Sequence, residues 1–143
     1  MVMTQPDTPP DPQLVARLTA RFAETFETLH AGNDVFVPDV LVDLNVPVWR
    51  YQLQGRSAIN AALEADSKGP VRIDVLRTVP TLTGFAAEHE EHQTVDGQEL
   101  MARRLWLCEI RDGRIAEAVG YCSGEWDDAL RARHAVEAPM IRW

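Results

Sequence analysis

The sequence predicts an α+β domain: a long amphipathic helix, then a mostly antiparallel sheet with the helices packed on one face. Three observations carry this. Leu14, Leu18, Phe22, Phe26 and Leu29 recur at spacings of four, four, four and three, one apolar stripe at helical period. From Val71 to Tyr121 the residues alternate as in long strands. Two Asp-Gly pairs, Asp96-Gly97 and Asp112-Gly113, join three of those strands, and Asp-Gly supplies the positive φ angles of a two-residue hairpin turn.

The elements follow in chain order. Residues 1–12 hold four of the nine prolines and are expected to form a flexible N-terminal tail. Asp11 places a capping oxygen before Pro12, a good first residue for a helix, and Gly32 is the expected stop. Residues 39–47 read as a strand with Val40, Val42, Leu44 and Val46 on one face and Leu41, Asp43 and Asn45 on the other. A second extended piece runs from Trp49 to Leu53. Ser57 is positioned to cap a short helix carrying Ile59, Ala62 and Leu63, closed by Gly69-Pro70. Val71, Ile73, Val75 and Val79 alternate in the next strand, with Arg77 interrupting their face and Pro80 ending it. Strands 85–95, 98–111 and 114–121 follow. Trp126, Ala129 and Leu130 mark a short C-terminal helix. The domain is thus expected over 13–123, with a helix and tail over 124–143.

Composition narrows the function. Fourteen Lys and Arg against 22 Asp and Glu leave a net charge of −8. Nucleic acids and anionic membranes demand clustered cations, so neither is expected as a partner. No stretch approaches the ~20 apolar residues of a membrane span. The N-terminus has no signal-peptide core and two cysteines make no disulfide framework, so the default compartment is the cytoplasm. No glycine-rich phosphate loop occurs. A soluble domain with a pocket for a small apolar ligand fits best.

The turns set the register. If both are two-residue loops, His89 faces Arg104, Arg104 faces Tyr121, and Ala87, Trp106 and Val119 share a row. One face then carries Phe85, Trp106 and Ile115 at an apolar end, and His89, Glu91, Arg104 and Tyr121 at a polar end. An apolar face that turns into a knot of ionisable groups is the pattern of a ligand cavity. His89 is the candidate acid or base, Arg104 the partner of an anionic oxygen, and Tyr121 a hydrogen-bond donor to a carbonyl. Glu91 stands ready to orient His89 or pair with Arg104. Asp43, Trp49, Tyr51 and Trp106 are the candidate lining. The whole centre depends on this alignment, since a one-residue slip turns Tyr121 away. The His89-Glu90-Glu91-His92 run is not a metal motif, because strand period sends its histidines to opposite faces. The other face, with Leu105 and Leu107 among small and charged residues, suits a second copy of the chain.

The order of elements, the segment Gly55-Arg56-Ser57-Ala58-Ile59 opening the second helix, and the turn Ile110-Arg111-Asp112-Gly113-Arg114-Ile115 resemble the NTF2-like superfamily and its SnoaL-like (polyketide cyclase-like) branch over residues 13–123. The resemblance implies a cone-shaped α+β barrel, a curved sheet wrapped around N-terminal helices and often dimeric. Its members include polyketide cyclases, ketosteroid isomerases, dehydratases, epoxide hydrolases and plain binding domains. The carboxylates of the isomerases fall near Leu44 and Trp106 here, so that mechanism is not expected. The paired pocket histidines of the dehydratases are not matched by His89 and His92. The expectation is cofactor-free, metal-free acid/base chemistry of isomerase, cyclase, dehydratase or hydrolase type on an apolar oxygenated substrate. The alternative is a non-catalytic ligand-binding or dimeric accessory protein.

Overall fold

In the computed structural model, which describes residues 8–142, the chain runs through α1 (Pro12–Thr28), β1 (Phe36–Val46), β2 (Trp49–Gln54), α2 (Arg56–Asp66), β3 (Val71–Pro80), β4 (Gly84–Val95), β5 (Gln98–Arg111), β6 (Arg114–Cys122) and α3 (Asp128–Glu137). Six strands form one sheet in the order β2-β1-β6-β5-β4-β3. Every neighbouring pair is antiparallel except β1 and β6, which run parallel. The sheet curves without closing, and α1 and α2 lie on its concave face.

Asp11 caps α1 by accepting from the Gln13 and Leu14 amides at 2.7 and 3.4 Å. The helix buries Leu18 and Phe22 as its stripe requires. It stops at Leu29, three residues before Gly32. Leu29 takes a left-handed conformation (φ 58°) and returns its amide to the Thr25 carbonyl. Ser57 does not cap α2. Gly55, at φ 88°, occupies the cap and no side chain accepts a hydrogen bond there. The core joins Leu18 and Phe22 to Phe36, Phe85, Trp106 and Ile115, each at most 2% exposed.

Both Asp-Gly turns are two-residue loops, with φ of 51° and 77° in the first and 55° and 72° in the second. Across the first, Phe85 faces Cys108, Ala87 faces Trp106 and His89 faces Arg104, in the expected register. Across the second, the register holds only through Ile110 opposite Ile115. A bulge at Ala116 then inserts one residue, and Arg104 faces Cys122 instead of Tyr121. Because side chains alternate, the rest of β6 turns over. Ala118, Gly120 and Cys122 point inward, while Val119 and Tyr121 point outward, correcting the expected faces. Packing agrees with this: a Cβ on Gly120 would sit 2.6 Å from the Trp106 ring, so the indole needs glycine beneath it.

A second bulge, at Leu76, separates Val75 opposite His89 from Arg77 opposite Glu88. It sends Arg77 outward, where it meets Glu88 at 3.5 Å. This resolves the interruption of the apolar face, and it leaves Val79 on the outside, 46% exposed.

Candidate functional site

A cavity of about 430 Å³ lies between α1, α2 and the concave face of the sheet. Phe22, Phe26, Val42, Leu44, Leu53, Ile59 and Trp106 make most of its wall. The wall is polar at one place, where β4, β5 and β6 contribute Glu91, Gln93, Arg104 and Cys122. Exposed Asp66, Ser67, Lys68 and Glu125 mark the mouth. Across it the Lys68 ammonium meets the Glu125 carboxylate at 3.3 Å, joining the loop after α2 to the segment after β6.

Arg104 is the centre of the polar wall. Its Nη1 lies 3.1 Å from Glu91 Oε2, with both side chains less than a fifth exposed. Its guanidinium carbon stands 5.8 Å from the centre of the Phe26 ring. Its Nε is buried without a hydrogen-bond partner. Burial works against the charge on Arg104, but the Glu91 carboxylate, Cys122 and Tyr51 outweigh it and hold the pKa above its ordinary value. Tyr51 lies on the same wall, and burial pushes its phenol up.

The structure separates the other expected site residues. His89 shares the inner face with Arg104, but it is 1% exposed and is not part of the cavity wall. Its ring sits 5.8 Å from Phe22 and 6.3 Å from Phe26, and neither nitrogen has a hydrogen-bond partner. Burial, with Arg104 adding repulsion, lowers its pKa to about 4. The neutral ring thus lies among the α1 phenylalanines rather than on the cavity wall. Tyr121 is 53% exposed on the outer face, turned there by the Ala116 bulge. The expected convergence of His89, Arg104 and Tyr121 does not occur.

Asp43 also points outward. It takes Arg50 Nε at 2.8 Å, Arg50 Nη2 at 2.5 Å and Gln52 Nε2 at 3.1 Å. The Arg50 bonds, aided by Gln52 and opposed by burial, hold its carboxyl below the usual range. This clamp joins β1 to β2 away from the cavity. Trp49, at the end of the same hairpin, is 71% exposed and outside the wall. Tyr51, Glu91 and Trp106 do face the cavity.

Gln93 and Cys122 are wall residues that sequence reasoning did not single out. Gln93 continues the inward alternation two residues after Glu91. Cys122 becomes legible only once the extra residue at Ala116 is counted. On the outer face, Asp74, Glu90 and His92 bring ligand atoms within 4.8 Å of one another. His92 Nε2 lies 2.9 Å from Glu90 and 3.4 Å from Asp74, and its Nδ1 meets Glu99. Arg72 pairs with Asp74 at 3.4 Å, so the cluster contains a cation of its own.

No protein-family model and no curated protein sequence matches the chain. Solved structures do. An NTF2-like protein of unknown function from Mesorhizobium loti aligns over 80% of this chain and 97% of its own, with 24% identity and a TM-score of 0.60. An LEH-like epoxide hydrolase of M. tuberculosis aligns over 92% and 100%, with 14% identity and a TM-score of 0.64. A putative SnoaL-like polyketide cyclase from Jannaschia sp. aligns over 97% and 100%, with 12% identity and a TM-score of 0.61. At these identities the likeness is one of architecture, and chemistry has to be argued from the cavity itself. With three helices against a curved, unclosed six-stranded sheet, the chain has the NTF2-like fold, the cone-shaped α+β architecture it shares with SnoaL-like proteins.

Proposed function

We propose that the protein binds a small apolar molecule carrying an oxygen function and moves a proton on it without a cofactor. The observation that carries this reading is a cavity of about 430 Å³ with mostly apolar walls, into which the Arg104–Glu91 pair opens. Arg104 offers a fixed positive charge to a carbonyl or epoxide oxygen as negative charge develops there. Glu91 stands beside it to take or return the proton. The apolar walls exclude water and strengthen both interactions. Solved neighbours described as an epoxide hydrolase and a polyketide cyclase support chemistry of this general type. The outer face supports a homodimer: Leu105 and Leu107 are each 42% exposed beside Val79 and Tyr121.

A specific observation favours a second reading. Glu91 and Arg104 already neutralise each other, as they do in a pocket that only binds. Exchange of the α-protons of 1-tetralone in D2O separates the two. Wild type is expected to accelerate exchange at least tenfold over Glu91→Gln, with circular dichroism confirming that the variant folds. Equal exchange, with calorimetric binding retained, leaves a carrier rather than a catalyst. No binding at millimolar concentration removes the cavity reading altogether.

A further inference from the structure

We propose that Cys122 is a covalent capture site for apolar α,β-unsaturated carbonyl compounds, its sulfur adding to the β-carbon of a molecule held in the cavity. The inference rests on the binding reading above and adds a bond to it. Cys122 ends β6 on the cavity wall, and the bulge at Ala116 sets it directly across the ladder from Arg104. Its thiol is free and half-buried. The Gly124 amide donates to Sγ at 3.4 Å, and Arg104 occupies the facing position on β5. The amide is held in place by a turn that only glycine fits. Gly124 has φ 87°, and a Cβ there would meet Pro47 at 2.9 Å.

A second observation points to a ligand at the same wall. Gln93 is 7% exposed, faces the cavity, and its amide has no hydrogen-bond partner among the described residues. Arg104 Nε is buried and unpaired as well. The Gln93 amide and the Arg104 guanidinium, both on the cavity wall, are donors that a carbonyl oxygen can use. An unsaturated ketone bound by its oxygen presents its β-carbon to the polar wall, where Cys122 stands.

The step balances within the cavity. The thiol gives its proton to water, and the sulfur's electron pair forms the S–C bond at the β-carbon. The alkene π pair moves toward the oxygen as an enolate facing Arg104. A proton then returns from water to the α-carbon. The product is a thioether, with nothing oxidised or reduced. Cys108 is the internal control. It is 2% exposed, and burial pushes its thiol up, away from reactivity.

Cyclohex-2-enone is the probe, with adducts located by peptide mass spectrometry. The expected result is one adduct, at Cys122, formed at least tenfold faster than on N-acetylcysteine at the same pH. 1-Tetralone, which carries no reactive alkene in its ring ketone, should protect, and Arg104→Met should slow the reaction at least tenfold. Gln93→Leu gives an independent variant if Arg104→Met fails to fold, and it too should slow capture. Labelling at the reference rate, or equally at Cys108, overturns the proposal. If 1-tetralone binds by calorimetry but the enone forms no adduct, capture falls and the binding reading stands. If neither compound binds, the binding reading has failed first.

Discussion

His89 and His92 stand three residues apart on β4, and the pleat turns one inward and the other outward. His89 lies between two phenylalanine rings with no partner for either nitrogen. His92, 13% exposed in its side chain, has carboxylates at both nitrogens, from Glu90, Asp74 and Glu99. The strand decides which face a side chain takes. What the rest of the chain packs on that face decides its chemistry. The inner histidine is desolvated into neutrality, and the outer one belongs to a wet network of charges. Neither contributes to the cavity, whose polar groups come from the residues beside and beyond them.

The largest expected effect breaks the inner environment. Phe22→Ala removes a ring from both the core and the His89 cage, and should cost ~3–5 kcal/mol in urea unfolding. With water admitted, the His89 titration followed by NMR should move up from about 4 toward 6.5. A midpoint that stays low would show that Arg104, rather than burial, sets it.

Next comes the pH dependence of the intact protein. The folded chain holds His89 near 4, while the unfolded chain titrates near 6.5. As pH falls, the unfolded state takes up the proton first. This stability is therefore complete above about pH 6.5 and is lost progressively down to about pH 4, ~3 kcal/mol over the window. His89→Leu should flatten the slope there. An unchanged slope would assign the acid sensitivity to other groups.

The smallest effect belongs to the outer side. His92→Ala leaves Asp74, Glu90 and Glu99 facing one another and should cost ~0.2–1 kcal/mol, a loss eased by added salt. A loss as large as that of Phe22→Ala, indifferent to salt, would erase the distinction between the two sides.

Much of this was legible in the residues. Asp96-Gly97 and Asp112-Gly113 announced both hairpins, because few other pairs accept positive φ twice in succession. The β4–β5 register followed, and with it the inward faces of Glu91, Arg104 and Trp106. Arg77, interrupting an apolar alternation, was the visible trace of the bulge at Leu76. The bulge at Ala116 left a fainter trace: without it Glu117 would stand opposite buried Cys108 on the apolar face, where Ala118 stands instead. A second signature was indirect, since Gly120 makes sense only beneath the Trp106 indole. The seclusion of His89 was hidden for a different reason. Strand period placed it on the right face, but its wall of Phe22 and Phe26 comes from α1, more than sixty residues earlier in the chain.

The extra residue in β6 also says how such a protein changes its contents. Adding or losing one amino acid at that point would swap an entire row of inward groups for the row behind it, while the tight turn and its neighbours stayed as they were. Chain length at that spot therefore decides which β6 side chain a guest molecule meets, Cys122 as the strand stands. Two proteins alike in every turn can hold unlike guests if they differ by one residue there.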